Sequence, residues 1–249
     1  MRIIISPAKK MKIDTDTLEY EEIPRFIEDT KVVLSHLRKL NYEEAKKLWN
    51  CNEKIAACNY ERLLKMDLNH NLTPAILSYE GIQYRYMAPS VFESKELAFI
   101  KEHLRILSGF YGYLNPFDGV VPYRLEMQAR LAGDSFHSLY EFWNKKLAEQ
   151  LFLESSCIVN LASVEYSKCI SSYLPDKAEY ITCIFGELTG GKVVEKGTLV
   201  KMARGEMVRF MAENQIEDIK GMKEFNRLNF TYSGKLSNRN TYVFIKEKK

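Results

Sequence analysis

The segment Leu107–Met127, "LSGFYGYLNPFDGVVPYRLEM", decides how this chain is read. Ahead of it Leu97, Ile100, Leu104 and Leu107 recur at helical spacing, with Ser94 placed to cap and Gly109 placed to stop the helix. At its far end Tyr123, Leu125, Met127, Ala129 and Leu131 alternate with Arg124, Glu126, Gln128 and Arg130. That is period two, the mark of a strand with one apolar and one charged face. Helix, glycine turn and strand in so short a span imply a chain that mixes the two element types throughout.

The flanking sequence agrees. Arg2–Ile5 is a short β-branched run that reads as a buried strand entering a loop at Ser6-Pro7. The first quarter is mostly helical: Pro24 to Leu40, then Asn41 to Trp49 with Asn41 and Glu44 as a capping box, then Asn52 to Lys65. "AILSYEG" after Pro74 reads as a strand to about Tyr79. Ser138 and Glu141 cap a helix burying Leu139, Phe142, Trp143, Leu147 and Leu151, and a strand begins at Cys157. Glu179–Leu188 and "KVVEK" flank Gly190-Gly191 as a hairpin, a helix starts at Thr198, and the tail reads as a last pair of strands. With no linker, low-complexity run or repeat, the expectation is one α/β (mixed α+β) domain over 1–249, a central sheet surrounded by helices.

Composition excludes several classes. The balance of 36 Lys+Arg against 33 Asp+Glu leaves only +3, too little for a polyanion binder on net charge alone, so any such binding needs a local cluster. Candidates are Lys9–Lys12 and the run from Lys192 to Arg209. Cys51, Cys58, Cys157, Cys169 and Cys183 are odd in number and contain no Cys-x-x-Cys, which fits reduced thiols in a cytoplasmic protein. His36, His70, His103 and His137 lie far apart, so no local metal motif is present, and neither metal nor cofactor is expected. No apolar run approaches the ~20 residues a bilayer span needs, and the N-terminus lacks the features of a signal peptide. No membrane partner is expected.

The common catalytic signatures are absent. What remains lies at element ends. After the first strand, Ser6 and Lys9 could hold an anion, or the segment could be a plain loop with a solvated lysine. Arg124 and Glu126 share one strand face, as a surface charge pair or as part of a site. "NLASVEY" carries Asn160, Ser163, Glu165 and Tyr166 across a strand-to-helix turn, where Ser163 could cap the helix or help bind an anion. Lys201 and Arg204 share a helical face and, with Arg209, could meet two or three phosphates. Gly205 in mid-helix costs about 1 kcal/mol relative to Ala and so implies a close approach.

Taken together, "ISPAKK", "HLRILSGFYGYLNPFD", "PYRLEM", "LYEFW", "NLASVEY", "KMARGEMVRF" and Phe225-Asn226 resemble, in order and spacing, the YaaA family of bacterial peroxide-stress proteins, over nearly the whole chain. The resemblance implies a family-specific α/β fold with a basic cleft, cytosolic DNA binding, and a part in limiting oxidative DNA damage by restraining intracellular iron. It also implies a helix-hairpin-helix element, for which His103–Leu114 is the most similar segment, with Gly109 and Gly112 letting backbone N–H groups approach phosphate. The chain departs from the family pattern at Asn115-Pro116-Phe117-Asp118, where an Arg is lost; at Ile82, which replaces an acid; at Met202, which replaces a Lys; and at Asn229-Phe230.

Two function classes follow. One is a sequence-nonspecific binder of double-stranded DNA whose cleft is lined by Lys9, Arg105, Arg124, Lys201, Arg204 and Arg209. The other is an enzyme on a nucleotide-like or phosphorylated small molecule, with Glu126 or Glu165 as general base and Lys9 or Arg204 as anion holder. Direct iron binding has no local ligand set behind it. Convergence of Lys9, Arg124, Glu126, Asn160, Lys201 and Arg204 on one pocket, and the width of that pocket, would separate the two.

Overall fold

The computed structural model describes residues 1–247, so the last two positions of the expected 1–249 domain lie outside the described residues. In chain order the strands are β1 (Arg2–Ile5), β2 (Lys10–Met11), β3 (Thr73–Pro74), β4 (Tyr79–Glu80), β5 (Leu104–Ser108) and β6 (Gly112–Leu114). They continue with β7 (Gly119–Val120), β8 (Cys157–Leu161), β9 (Glu179–Thr189), β10 (Lys192–Val194), β11 (Phe230–Tyr232) and β12 (Thr241–Lys246). The helices are α1 (Ile27–Arg38), α2 (Tyr42–Trp49), α3 (Glu53–Lys65), α4 (Ala75–Ser78), α5 (Ile82–Met87), α6 (Ser94–His103), α7 (Leu139–Trp143), α8 (Lys146–Glu154), α9 (Val164–Ser171) and α10 (Gly197–Glu213).

The main sheet has the order β11-β12-β9-β8-β1-β5-β6, with β10 paired to β9. The five inner strands are parallel and the edge strands β11 and β6 antiparallel. Parallel strands need cover on both faces, which is why β1 is Ile3-Ile4-Ile5 and β8 carries Ile158-Val159, all of them solvent-free. The mixed α/β architecture with a central sheet is therefore present as the sequence implied.

The early helices follow their caps. Asn41 and Glu44 close a capping box at α2, and Asn52 accepts the Ile55 N–H at α3. At Gly190-Gly191 both residues take positive φ, as a tight hairpin between β9 and β10 requires.

Several expectations are corrected. The helix from Ser94 ends at His103, and its N-terminus is capped by Glu93 with Glu96. Leu104–Ser108 is strand β5, buried at every position. Buried on both faces, it shows no alternation, so its leucines prolonged the helical spacing. After His103 closes α6, Leu104–Leu114 is thus strand, turn and strand, with Ser108 paired to Gly112 across an antiparallel hairpin, and not a helix-hairpin-helix. Ser108 Oγ accepts the N–H groups of Phe110 and Tyr111 at 3.1 and 2.9 Å, which satisfies the turn internally.

Gly112 has φ +73 and packs on Trp143, where a Cβ would come within 2.7 Å of the indole. A Cβ on Gly109 would sit 2.8 Å from the Leu125 carbonyl. Both glycines therefore serve packing. Ala75–Ser78, expected as strand, is a single helical turn. The helix expected from Ser138 to Leu151 is two helices broken at Asn144, whose φ is 44°.

Residues 123–131 keep the expected alternation, with Tyr123, Leu125, Met127, Ala129 and Leu131 buried, yet they join no ladder. The segment is extended to Glu126 and then turns at 127–129, where the Ala129 N–H donates to the Glu126 carbonyl at 3.0 Å. It lies over the C-terminal ends of the parallel strands, close against the β5–β6 turn at Gly109. That placement aims Arg124 and Glu126 away from the core.

Candidate functional site

The C-terminal ends of parallel strands are where open α/β sheets hold ligands. Here β1 ends at Ile5, just before Ser6, and β8 ends at Leu161, just before Ala162-Ser163. The two ends are tied together by the serines: the Ser6 hydroxyl donates to Ser163 Oγ at 3.2 Å, and the Ser163 N–H donates to Ser6 Oγ at 2.8 Å. Ser163 stands at the N-cap of α9, but its side chain makes no capping bond.

In front of these ends lies a cavity of about 400 Å³. Besides the rim pair Lys10 and Glu80, four separate segments bring charge to it: Lys9 from the loop after β1, Arg124 and Glu126 from the extended segment, Glu165 from α9, and Lys201 with Arg204 from α10. Gly205 explains how α10 gets so close, since a Cβ there would lie 2.1 Å from the Gln83 carbonyl of α5. α5 and α10 meet backbone to backbone, and that contact places Gln83 beside Arg204 in the cavity wall.

Glu126 is the hub of the near wall. It accepts from Lys9 Nζ at 2.9 Å and from an Arg124 terminal nitrogen at 3.3 Å. Its carboxylate and the Arg124 side chain are largely buried, whereas Lys9 is 65% exposed. Glu165 receives the Gln128 N–H at 3.3 Å. Burial, reinforced by the Glu126 charge, raises the Glu165 carboxyl above its ordinary value despite that bond and the nearby Lys9.

Beneath lie tyrosines. Tyr84 donates to the Ser6 carbonyl at 3.0 Å, and the Tyr123 hydroxyl bonds both Ser108 at 2.6 Å and Tyr79 at 2.9 Å. Burial pushes the Tyr123 phenol up to about 12, so this floor is neutral.

The cavity is marked by donors without acceptors. Arg124 Nε, Arg204 Nε and Gln83 Nε2 are buried and bond to nothing. Leaving a buried donor unanswered costs about 1–3 kcal/mol, more for a charged group, so such atoms are rare in finished interiors. Burial also lowers the Arg204 pKa, with only the more distant Glu195 and Cys183 opposing it.

A second trough of about 820 Å³ shares Lys9 and Glu126 with the cavity and runs past Gln128 and Arg130 to Lys47 and Trp49. Trp49 Nε1 is likewise buried and unbonded.

The cavity therefore assembles Ser6, Lys9, Arg124, Glu126, Ser163, Glu165, Lys201 and Arg204. Other residues expected there lie elsewhere. Arg105 is buried at the opposite end of the sheet, with Glu154 at 2.7 Å and Tyr113 at 2.7 Å. Arg209 is tied to Glu213 at 2.7 Å, which also takes Arg227. Asn160 accepts the Ala162 N–H at 2.9 Å and donates to Thr182 at 3.3 Å, shaping the end of β8 without lining the cavity. Gly109 and Gly112 sit in the packed hairpin turn.

Sequence reasoning missed Gln83 as a lining residue, although it lies in the Tyr79–Tyr84 stretch that departs from the family pattern. It also missed Glu80, which pairs at 2.9 Å on the rim with Lys10 of the Lys9–Lys12 cluster. The histidines are scattered: His36 packs edge-on to Phe136, His70 pairs with Asp67, and His103 bonds the Met1 carbonyl. Among the described residues no cluster of three or more His, Cys, Asp or Glu is placed to hold a metal, and no helix is long and apolar enough to cross a membrane.

A family model described as peroxide stress protein YaaA matches residues 1–236. Three relatives carry the designation UPF0246. The one from Desulfitobacterium hafniense is 56% identical over 246 residues, covering 99% of this chain and 98% of the relative. That from Lachnoclostridium phytofermentans is 54% identical, covering 99% and 96%, and that from Pediococcus pentosaceus is 51% identical, covering 99% and 98%.

Proposed function

Because this chain belongs to the family of the peroxide stress protein YaaA, we propose that it serves the peroxide-stress response by binding double-stranded DNA without regard to sequence. The cavity and trough hold the phosphate backbone. The observation that carries this reading is the meeting of Lys9, Arg124, Lys201 and Arg204 round one cavity, with two of the guanidinium Nε atoms buried and unanswered. Gathered round a cavity, that set is suited to phosphates, and phosphate contacts position a duplex and carry no sequence information. In this reading the protein acts in the cytoplasm and limits iron-dependent oxidative damage to DNA.

The test is duplex binding across a salt series. The reading expects affinity to fall with a log–log slope near −0.9 for each phosphate neutralised, and it expects unrelated sequences to bind alike. Affinity that ignores salt over a tenfold range overturns it.

A second reading has its own support. Two carboxylates, Glu126 and Glu165, face the cavity, and the raised pKa of Glu165 suits proton transfer. In that reading the chain is an enzyme on a nucleotide-like or phosphorylated small molecule. Glu126 is already committed to Lys9 and Arg124, which leaves Glu165 as the general base. Turnover of a nucleotide panel that is lost in Glu165→Gln, with binding retained, would establish it. No turnover and no thermal stabilisation by any member of the panel would remove it.

A further inference from the structure

The two adjoining depressions share a property that neither has alone. Among the described residues five buried side-chain polar atoms lack a hydrogen-bond partner: Trp49 Nε1, Gln83 Nε2, Arg124 Nε, Tyr180 Oη and Arg204 Nε. Four of the five belong to residues lining the cavity or the trough, and all four are N–H donors. Folded proteins seldom leave such groups unanswered. A run of missing acceptors along one continuous surface describes a ligand that is rich in acceptors and long enough to pass from one depression to the other.

Charge narrows the ligand further. Five cationic side chains and three carboxylates line the cavity, so five against three leaves two positive charges. Lys10 is matched by Glu80, Lys9 and Arg124 share the single charge of Glu126, Glu165 makes no ion pair, and neither Lys201 nor Arg204 has an ion-pair partner among the described residues. A phosphodiester inside a strand brings one negative charge, whereas a phosphomonoester brings about two at neutral pH. A volume of about 400 Å³ lies in the range of small-molecule sites and is ample for one phosphorylated sugar unit.

We propose that the cavity binds a phosphomonoester dianion between Arg124, Lys201, Arg204 and Gln83, and that the attached nucleoside runs past Lys9 and Glu126 into the trough, where Trp49 Nε1 donates to an acceptor on it. This deepens the nucleic-acid reading above and rests on it only for the source of the ligand. The same chemistry is offered by the phosphorylated end of a DNA strand and by a free nucleoside monophosphate. An internal phosphate of an unbroken duplex is the poorer match.

The experiment compares four probes by titration calorimetry and competition at one salt concentration. They are a short duplex with 5′-phosphate ends, the same duplex with 5′-hydroxyl ends, a nucleoside 5′-monophosphate, and inorganic phosphate. The phosphorylated duplex is expected to bind about tenfold tighter than the hydroxyl-ended one, the increment of one charged hydrogen bond. The monophosphate is expected to compete with it, and inorganic phosphate to compete more weakly. Lys201→Ala, an exposed position that leaves folding intact, is expected to erase most of the preference. Trp49→Phe is expected to weaken the monophosphate and leave inorganic phosphate unchanged.

Equal affinity for both duplexes, together with no binding of the monophosphate, overturns the inference while leaving nonspecific DNA binding standing. Binding of the monophosphate with no binding of either duplex supports the inference and overturns the DNA reading. A Trp49→Phe protein that binds the monophosphate as tightly as the unaltered chain overturns the passage into the trough.

Discussion

Two charged clusters sit at opposite ends of the same parallel strands and are built to opposite ends. At the N-terminal ends of β1, β5 and β8, Arg2 and Arg105 close on Glu154 at 3.0 and 2.7 Å, and Arg2 also reaches Glu102 at 2.7 Å. Tyr113 and Gln150 donate to the other oxygen of Glu154, and Arg105 caps the Lys101 and Leu104 carbonyls at 3.0 and 2.7 Å. At the C-terminal ends, Arg124 and Arg204 each keep a buried Nε with no acceptor. The first cluster is a closed lattice of answered donors, and the second is an open one that asks for an anion. An arginine in a sequence does not announce which it is; its counter-ion does.

The largest way to break that contrast is Glu154→Gln. It leaves Arg2 and Arg105 facing a neutral amide, and breaking a largely buried ion pair from one side costs about 3–5 kcal/mol. Urea denaturation is expected to show that loss, while the DNA affinity of the protein still folded is unchanged. A stability loss under about 1 kcal/mol, the scale of a surface pair, would mean the cluster is not closed.

The same carboxylate gives a pH signature. Burial favours the neutral acid, but Tyr113, Gln150 and the charges of Arg105 and Arg2 hold Glu154 down at about 2. A folded value below the unfolded one, about 4.3 for a free glutamate, stabilises the fold at higher pH. The contribution, about 3 kcal/mol by linkage, is complete above the unfolded value and is lost as pH falls from there through the folded one. The stability gap between the unaltered chain and Glu154→Gln is therefore expected to shrink between about pH 4.5 and pH 2. A gap that stays constant over that window would contradict the assignment.

Next in size is Gly205→Ala. The added Cβ meets the Gln83 carbonyl at 2.1 Å, a backbone atom that cannot turn aside. Overpacking of this kind costs about 1–3 kcal/mol, and it also pushes α10, with Lys201 and Arg204, away from α5. Stability and DNA affinity are expected to fall together, unlike at Glu154.

How far all this could be read beforehand differs between fold and site. β1, the Asn41–Glu44 cap, the Gly190-Gly191 hairpin and the closing strands are local signals, and local signals survive folding. β5 was hidden because a strand buried on both faces has no period of its own, and its leucines extended the spacing of α6. At 123–131 the alternation was true for burial and silent about pairing, since exposure and ladder formation are separate facts.

Within the site, Lys9, Arg124, Lys201 and Arg204 were legible as charges at element ends. Arg105 looked the same because Glu154 lies beside it only in three dimensions, whereas Arg209 has Glu213 one turn further along the same face of α10, an i,i+4 pairing that the sequence did carry. Gln83 had no signal beyond its place in the Tyr79–Tyr84 stretch. Glu126, an acid that a DNA clamp does not need, is accounted for as the carboxylate that holds Lys9 and Arg124 in place.

The smallest expected effect on stability is the most informative about function. Arg204→Met removes a charge that has no ion-pair partner among the described residues and substitutes an apolar side chain of similar reach, which buried sites often tolerate at no cost. Measured side by side, the unaltered chain and Arg204→Met are expected to unfold within about 1 kcal/mol of each other. The variant is expected to lose about tenfold or more in affinity for duplex DNA, with a salt slope shallower by about one phosphate. A variant that binds DNA as tightly, with the same slope, would contradict the claim that the C-terminal end of the sheet is an anion-binding site.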